Sequence, residues 1–144
     1  MTGISTATAT SLLTTLLGGT TYIALTTTPV IPQMDGTNIP EPNPLEWTNY
    51  ARVLIDGSWW TAPVESEIDV LTTTNIGVLV FPTITNTSAG VEITGWAILD
   101  SLTAGKLLFF GDIPTTLVGS GVTPRFEFQT LNISINLSSV TVAE

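Results

Sequence analysis

The sequence contains no cysteine and no histidine in its 144 residues. Those two absences remove thiol nucleophiles, imidazole bases, Ser-His-Asp triads, the usual zinc and iron–sulfur ligands, and structural disulfides. Charge is also scarce. Only 10% of residues are charged, against about 25% in an ordinary soluble domain, and just three of them are basic. Arg52, Lys106 and Arg125 cannot supply the phosphate contacts on which nucleic-acid affinity depends, and a net charge of −9 repels polyanions. No apolar run approaches the roughly 18 residues of a membrane-spanning helix; the longest, Ile76–Phe81, is strand-sized. Residues 1–17 carry no Lys or Arg, so the basic start of a secretory signal is missing. The expectation is a soluble protein made in a cytoplasm, with no nucleic-acid or membrane partner and no sugar on the sequons at Asn86, Asn132 and Asn136.

What is present is apolar and hydroxyl-rich. Hydrophobic residues make up 43% of the chain, ample for a core at this length without metals or disulfides. One helix is expected near the N-terminus, with Ser5 or Thr6 as cap, an apolar stripe of Ala7, Ala9, Leu12, Leu13, Leu16 and Leu17, and Gly18-Gly19 as the stop. Its Thr-rich interior is poor helix material, so it needs a surface to dock on, either its own domain or a neighbouring subunit.

After the glycines the period changes to two. Thr20–Thr28 is β-branched and aromatic and ends at Pro29. Residues 29–46 form a long loop with five prolines, which cannot join a sheet ladder but hold the path stiff. Further strands are expected at Tyr50–Ile55, with a hairpin at Asp56-Gly57, at Trp59–Thr61, Glu67–Thr72, Gly77–Phe81, Val91–Leu99, Lys106–Phe110, Phe126–Gln129 and Leu131–Val142. The fold class is therefore mainly β, an antiparallel β-sandwich, jelly-roll-like, with a short N-terminal helix or arm. The division is an arm over 1–19 and a single β domain over 20–144.

Chemistry-bearing motifs are few. Glu65, Glu67 and Asp69 alternate, which on an extended strand sets three carboxylates on one face and raises calcium binding; the alternative is a solvated acidic face. Twelve acids make chance glycosidase-like pairs inevitable, and none is marked as special. Trp47, Trp59 and Trp60 can form a sugar-stacking platform or, more plainly, fill a core and an interface. Arg52 and Arg125 are expected to pair with Asp56, Glu92 or Glu127. No catalytic residue, cofactor or metal site is assigned, and the chain is not expected to be an enzyme.

The order of segments resembles a known family. Tyr22-Ile23-Ala24-Leu25-Thr26 is similar to the opening "Y-V-A-L-(F/H)-T" strand of small virion proteins of tailed bacteriophages. Tyr50-Ala51-Arg52 resembles their Y-A-R, and Asn75–Pro82 their "N-x-x-x-I-x-F-P" strand. Gly95–Asp100 followed by Gly105–Gly111 is similar to their "(F/W)-x-(I/L)-(F/W)-D … G-G-N-L-L-F-x-G" hairpin, and the Leu-rich helix ending in Gly-Gly matches as well. The longer, Pro-rich loop before Tyr50 and the Trp59–Asp69 segment depart from the pattern.

The resemblance implies a homotrimeric β domain on the outer surface of a virion. Its first expectation is a capsid decoration, or cement, protein bound to the major capsid protein. The alternative is a tail-fibre or tail-tip module that binds a host glycan. Under the first reading the expected contact residues are Ile4, Leu12, Leu13 and Leu16 of the arm, and Ile31, Pro32, Met34, Ile39, Pro40 and Trp47 of the loop. Trp59 and Trp60 serve the second.

Overall fold

The computed structural model describes residues 2–85 and 90–139; Asn86 therefore lies outside the described residues, as does the end of the strand expected to reach Val142. Its elements in chain order are β1 (Thr2–Gly3), α1 (Thr6–Leu17), β2 (Thr21–Thr26), β3 (Val53–Ile55), β4 (Val64–Glu67) and β5 (Val70–Thr74). Then follow β6 (Leu79–Val80), β7 (Val91–Leu99), β8 (Leu107–Val118), β9 (Arg125–Phe126), β10 (Asn132–Asn136) and β11 (Ser138–Ser139). Every strand pair among them is antiparallel, so the fold is mainly β with one short N-terminal helix, as the residue pattern predicts. The chain gathers into two compact units. One comprises Met1–Gly19, Asp56–Val78 and Glu127–Glu144, and the other Thr20–Ile55 and Leu79–Phe126.

In the first unit, α1 forms where its signals say. Ser5 adopts extended dihedrals and its Oγ accepts from the Thr8 N–H at 3.1 Å, satisfying one of the free donors of the first turn. Ala9, Leu13 and Leu17, spaced four apart, are the buried stripe, and α1 lies against β5. Replacing Ser5 by alanine removes the cap; the expected loss is about 1 kcal/mol, read as a lower midpoint in a thermal melt followed by circular dichroism.

The sheet beneath has the order β10-β5-β4. Leu71 and Thr73 of β5 and Ile133 of β10 are buried. On the opposite face the hydroxyls of Ser66, Thr72 and Ser134 bond in a row at 2.8 and 2.9 Å. Instead of one strand over Glu67–Thr72 there is a hairpin whose turn is Ile68-Asp69, with Asp69 at φ 60°. Nor is there a hairpin at Asp56-Gly57. The Asp56 carboxylate accepts from the Ser58 N–H at 2.9 Å and caps a 3-10 turn over Gly57–Trp59, so the local side-chain bond wins over strand reversal. Trp59 thus belongs to that turn, and Trp60 makes a single bridge to Asn75.

The second unit is built on a four-stranded sheet of order β3-β2-β7-β8. The Pro-rich loop lies across one face as a strap: its Val30 and Ile39 pack with Ala24, Ala97 and Leu99 of the sheet, and Met34 and Leu107 close the cluster. The Thr27 N–H donates to the Pro40 carbonyl at 2.8 Å, fastening the strap's return. β8 extends twice as far as expected because Pro114 sits on an outer strand, where its missing N–H costs no ladder bond. Gly111 faces Trp96 in the β7–β8 register, and a Cβ there would stand 2.6 Å from the indole ring. The short pair β6–β9 completes this unit.

Candidate functional site

Tyr50 and Arg52 alternate along the extended chain that leads into β3. Tyr50 is held by aromatics: its ring stacks on Phe81 with centroids 6.4 Å apart and meets Trp47 edge-on at 5.1 Å. Its hydroxyl accepts from the Leu25 N–H at 3.1 Å and donates to Glu41 Oε1 at 2.8 Å. Burial, and then the charge of Glu41, push the Tyr50 phenol well above its ordinary range, so it stays a donor to that carboxylate.

Arg52 is buried, and each of its five N–H groups has an acceptor. Nε and Nη2 donate to the two oxygens of Glu41 at 3.1 and 3.0 Å, the bidentate arrangement that suits a guanidinium. Nη2 also reaches the Gly36 carbonyl at 2.8 Å, while Nη1 serves the carbonyls of Ser101 and Ala104 at 3.0 and 2.8 Å. One side chain thus ties together the strap, through Gly36 and Glu41, and the β7–β8 turn. Gly36 is required at this junction, because a Cβ would lie 1.7 Å from the Ala104 carbonyl oxygen. A cleft of about 540 Å³ opens beside the clamp, lined by Thr37, Glu41, Tyr50, Arg52, Leu102 and Thr103 among others. With every guanidinium proton engaged, the arrangement fixes the strap in place.

The partner of Arg52 is therefore Glu41, not the Asp56, Glu92 or Glu127 expected from sequence. Glu41 lies 11 residues before Arg52, on the strap, and no local spacing announces the pair. The signal that existed was the scarcity of cations, which marks each one as assigned.

The expected contact residues divide by burial. Leu12, Ile31, at 43% and 49% exposure, and Pro32 present surface; Ile4, Leu16, Met34, Pro40 and Trp59 are half-buried. Leu13, Ile39, Trp47 and Trp60 are buried, so they support the fold from inside instead of offering contact area. Trp59 is pressed on Gly77, whose Cβ position lies 3.0 Å from the indole. Trp59 and Trp60 consequently form no open stacking platform. Glu65, Glu67 and Asp69 are exposed, but a register shift after Glu65 and the turn at Asp69 break the single strand face they were read on. Asn132 and Asn136 lie exposed on β10. Exposed apolar residues that the sequence reading did not single out include Leu45, Leu54, Ile68, Phe110 and Leu117.

No curated protein matches the chain. A family model does: the one described as Podophage GP4 fiber I protein gp80 matches residues 3–134. That span takes in α1, the strap, the Arg52 clamp, and both outer strands of the four-stranded sheet. The chain belongs to the Podophage GP4 fiber I protein gp80 family, and with it to the structural proteins of the bacteriophage virion.

Proposed function

We propose that this chain is a fibre module of the virion, a homotrimer whose work is to hold its neighbours and not to catalyse a reaction. The observation that carries the fibre reading is the family match over residues 3–134, in a family described by a fibre protein. It is preferred here to the capsid decoration role, which would make the major capsid protein the principal partner. The partners on the fibre reading are other copies of the chain and the virion component at the fibre's base.

The chemistry of the second unit supports a holding role. Its most elaborate polar cluster, around Arg52, spends all its donors inside the chain and stiffens a surface loop. A stiff loop loses little entropy when it is covered by a partner, which favours repeated assembly. Low charge acts in the same direction, because neutral hydroxyl-rich surface is desolvated at modest cost. The glycan reading draws nothing from Trp59 and Trp60, one half-buried and the other buried.

Antibody raised against the chain and coupled to gold, applied to intact virions, tests the placement. Label on fibres, with a bare shell, is the expected pattern; label spread evenly over the shell would establish the decoration role instead.

A further inference from the structure

The four-stranded sheet ends in β3 and β8, neither of which has a further ladder partner among the described residues, although β6 lies close to β3. Each neighbouring pair in the order β3-β2-β7-β8 is antiparallel, so three reversals leave β3 and β8 running in opposite directions. Laid side by side, β8 of one copy and β3 of the next therefore form an antiparallel pair, and the sheet continues from copy to copy. Natural sheets guard such edges with charge. β4, an edge of the other sheet, carries Glu65 and Glu67 and is guarded in that way. β3 (Val-Leu-Ile) and the first half of β8 (Leu-Leu-Phe-Phe-Gly) carry no charge.

The two edges also match in what they expose. Leu54 pairs with Tyr22, while Phe110 pairs with Ala97, which pairs with Ala24. Tyr22 and Ala24 are two residues apart on one strand, so Leu54 and Phe110 stand on the same face of the sheet. They are 46% and 39% exposed, large for apolar side chains at the rims of a core. Charge matches at one end. Lys106 directly precedes β8 and Asp56 directly follows β3. The pairings Thr21↔Ile55, Tyr22↔Leu99 and Leu99↔Leu107 place both at the same end of the sheet. Lys106 makes no ion pair among the described residues, and Ser58 occupies only Oδ1 of Asp56.

We infer that a second copy of this chain docks here: β8 of one copy pairs with β3 of the next, Phe110 packs against Leu54, and Lys106 meets Asp56. The contact is head-to-tail, so each copy uses both edges, and a ring of three copies pairs every β3 with the first half of a neighbouring β8. This rests on the homotrimer reading and names the surfaces through which it is built.

The missing cysteines make the test direct. In a Leu54→Cys/Phe110→Cys double variant the two thiols of one copy are separated by three strand spacings, about 14 Å. A disulfide spans Cα atoms about 4.4–6.8 Å apart, so only thiols from different copies can join. On oxidation the double variant gives a covalent trimer on a denaturing gel that reducing agent dissolves, while each single variant stays at monomer mass. Native mass spectrometry of the unmodified protein is run alongside. A trimer in solution with no covalent trimer overturns this seam and leaves the homotrimer reading standing; a monomer in solution overturns both. Covalent dimers from a single variant mean two-fold pairing of like edges and overturn the head-to-tail contact. Lys106→Glu, at an exposed position, raises the dissociation constant about tenfold, and more at low salt. An unchanged constant removes the Lys106–Asp56 contact from the seam.

Discussion

Replacing Arg52 by alanine is expected to cost about 3 kcal/mol, the lower end for removing one partner of a buried ion pair, because the Glu41 side chain keeps 23% of its surface in solvent. For a chain of this size that corresponds to a fall of about 10 °C in the unfolding midpoint. More contacts than the ion pair contribute to that loss. Removal leaves the Glu41 carboxylate with the Tyr50 hydroxyl alone and takes the guanidinium from the carbonyls of Gly36, Ser101 and Ala104. Arg52→Lys recovers less than half, since one ammonium with three donors cannot replace a planar fork with five. Glu41→Gln costs less than Arg52→Ala, because the three carbonyl contacts survive. Thermal melts of the three variants, ranked in that order, check the assignment. A Glu41→Gln loss equal to that of Arg52→Ala would mean that the carboxylate alone carries the clamp.

The second large effect lies in the other unit. Asn75 has no exposed surface, and its side chain makes three bonds: Nδ2 donates to the carbonyls of Gly77 and Glu127 at 2.9 and 2.8 Å, and Oδ1 accepts from the Leu131 N–H at 2.8 Å. Its backbone adds two more, to the Leu131 carbonyl and from the Gln129 N–H. This one residue at the end of β5 thus shapes the 127–131 turn that delivers β10 to its register. Asn75→Leu is nearly isosteric and takes the side-chain partner from the Leu131 N–H and the Gly77 carbonyl, while the Glu127 carbonyl keeps the Thr130 N–H and hydroxyl, for an expected loss of about 2–3 kcal/mol. Asn75→Asp fares no better, since it keeps the acceptor but sets a buried carboxylate against two carbonyl oxygens. Urea unfolding midpoints measure both. A loss under about 1 kcal/mol for Asn75→Leu would show that water reaches the turn.

The elements that could be read from sequence are those fixed by neighbours in the chain. Ser5 and Gly18 bound α1 because capping involves residues within one turn. β7 was legible in full as Val91–Leu99, and the alternation of Leu131–Ser138 located β10, because period-two burial is written into consecutive residues. What escaped depends on contacts across the fold. Asp56-Gly57 carries the composition of a hairpin turn, yet the Asp56 carboxylate finds Ser58 and caps a 3-10 turn. The turn at Ile68-Asp69 has no glycine to announce it, and Asp69 adopts positive φ itself. Pro114 lies beyond the strand expected over Lys106–Phe110 and sits within β8, because an outer strand accommodates it.

The clamp was half legible. Tyr50-Ala51-Arg52 stood out as a motif, and the scarcity of cations marked Arg52 as paired, but its acceptors lie 11 to 52 residues away and no short spacing points to them. Burial likewise divided the expected contact surface: amphipathic residues such as Trp47 and Trp60 read the same whether they fill a core or face a partner.

The central claim, a fibre and not a coat, is tested most directly by counting. Quantitative mass spectrometry of purified virions, with an isotope-labelled copy of the chain as standard, gives its number per particle relative to the major capsid protein. Fibres attach at a few symmetry-related positions, whereas a decoration protein repeats with the shell lattice. The account predicts a few tens of copies at most, in a multiple of three; hundreds, in fixed proportion to the shell protein, would contradict it.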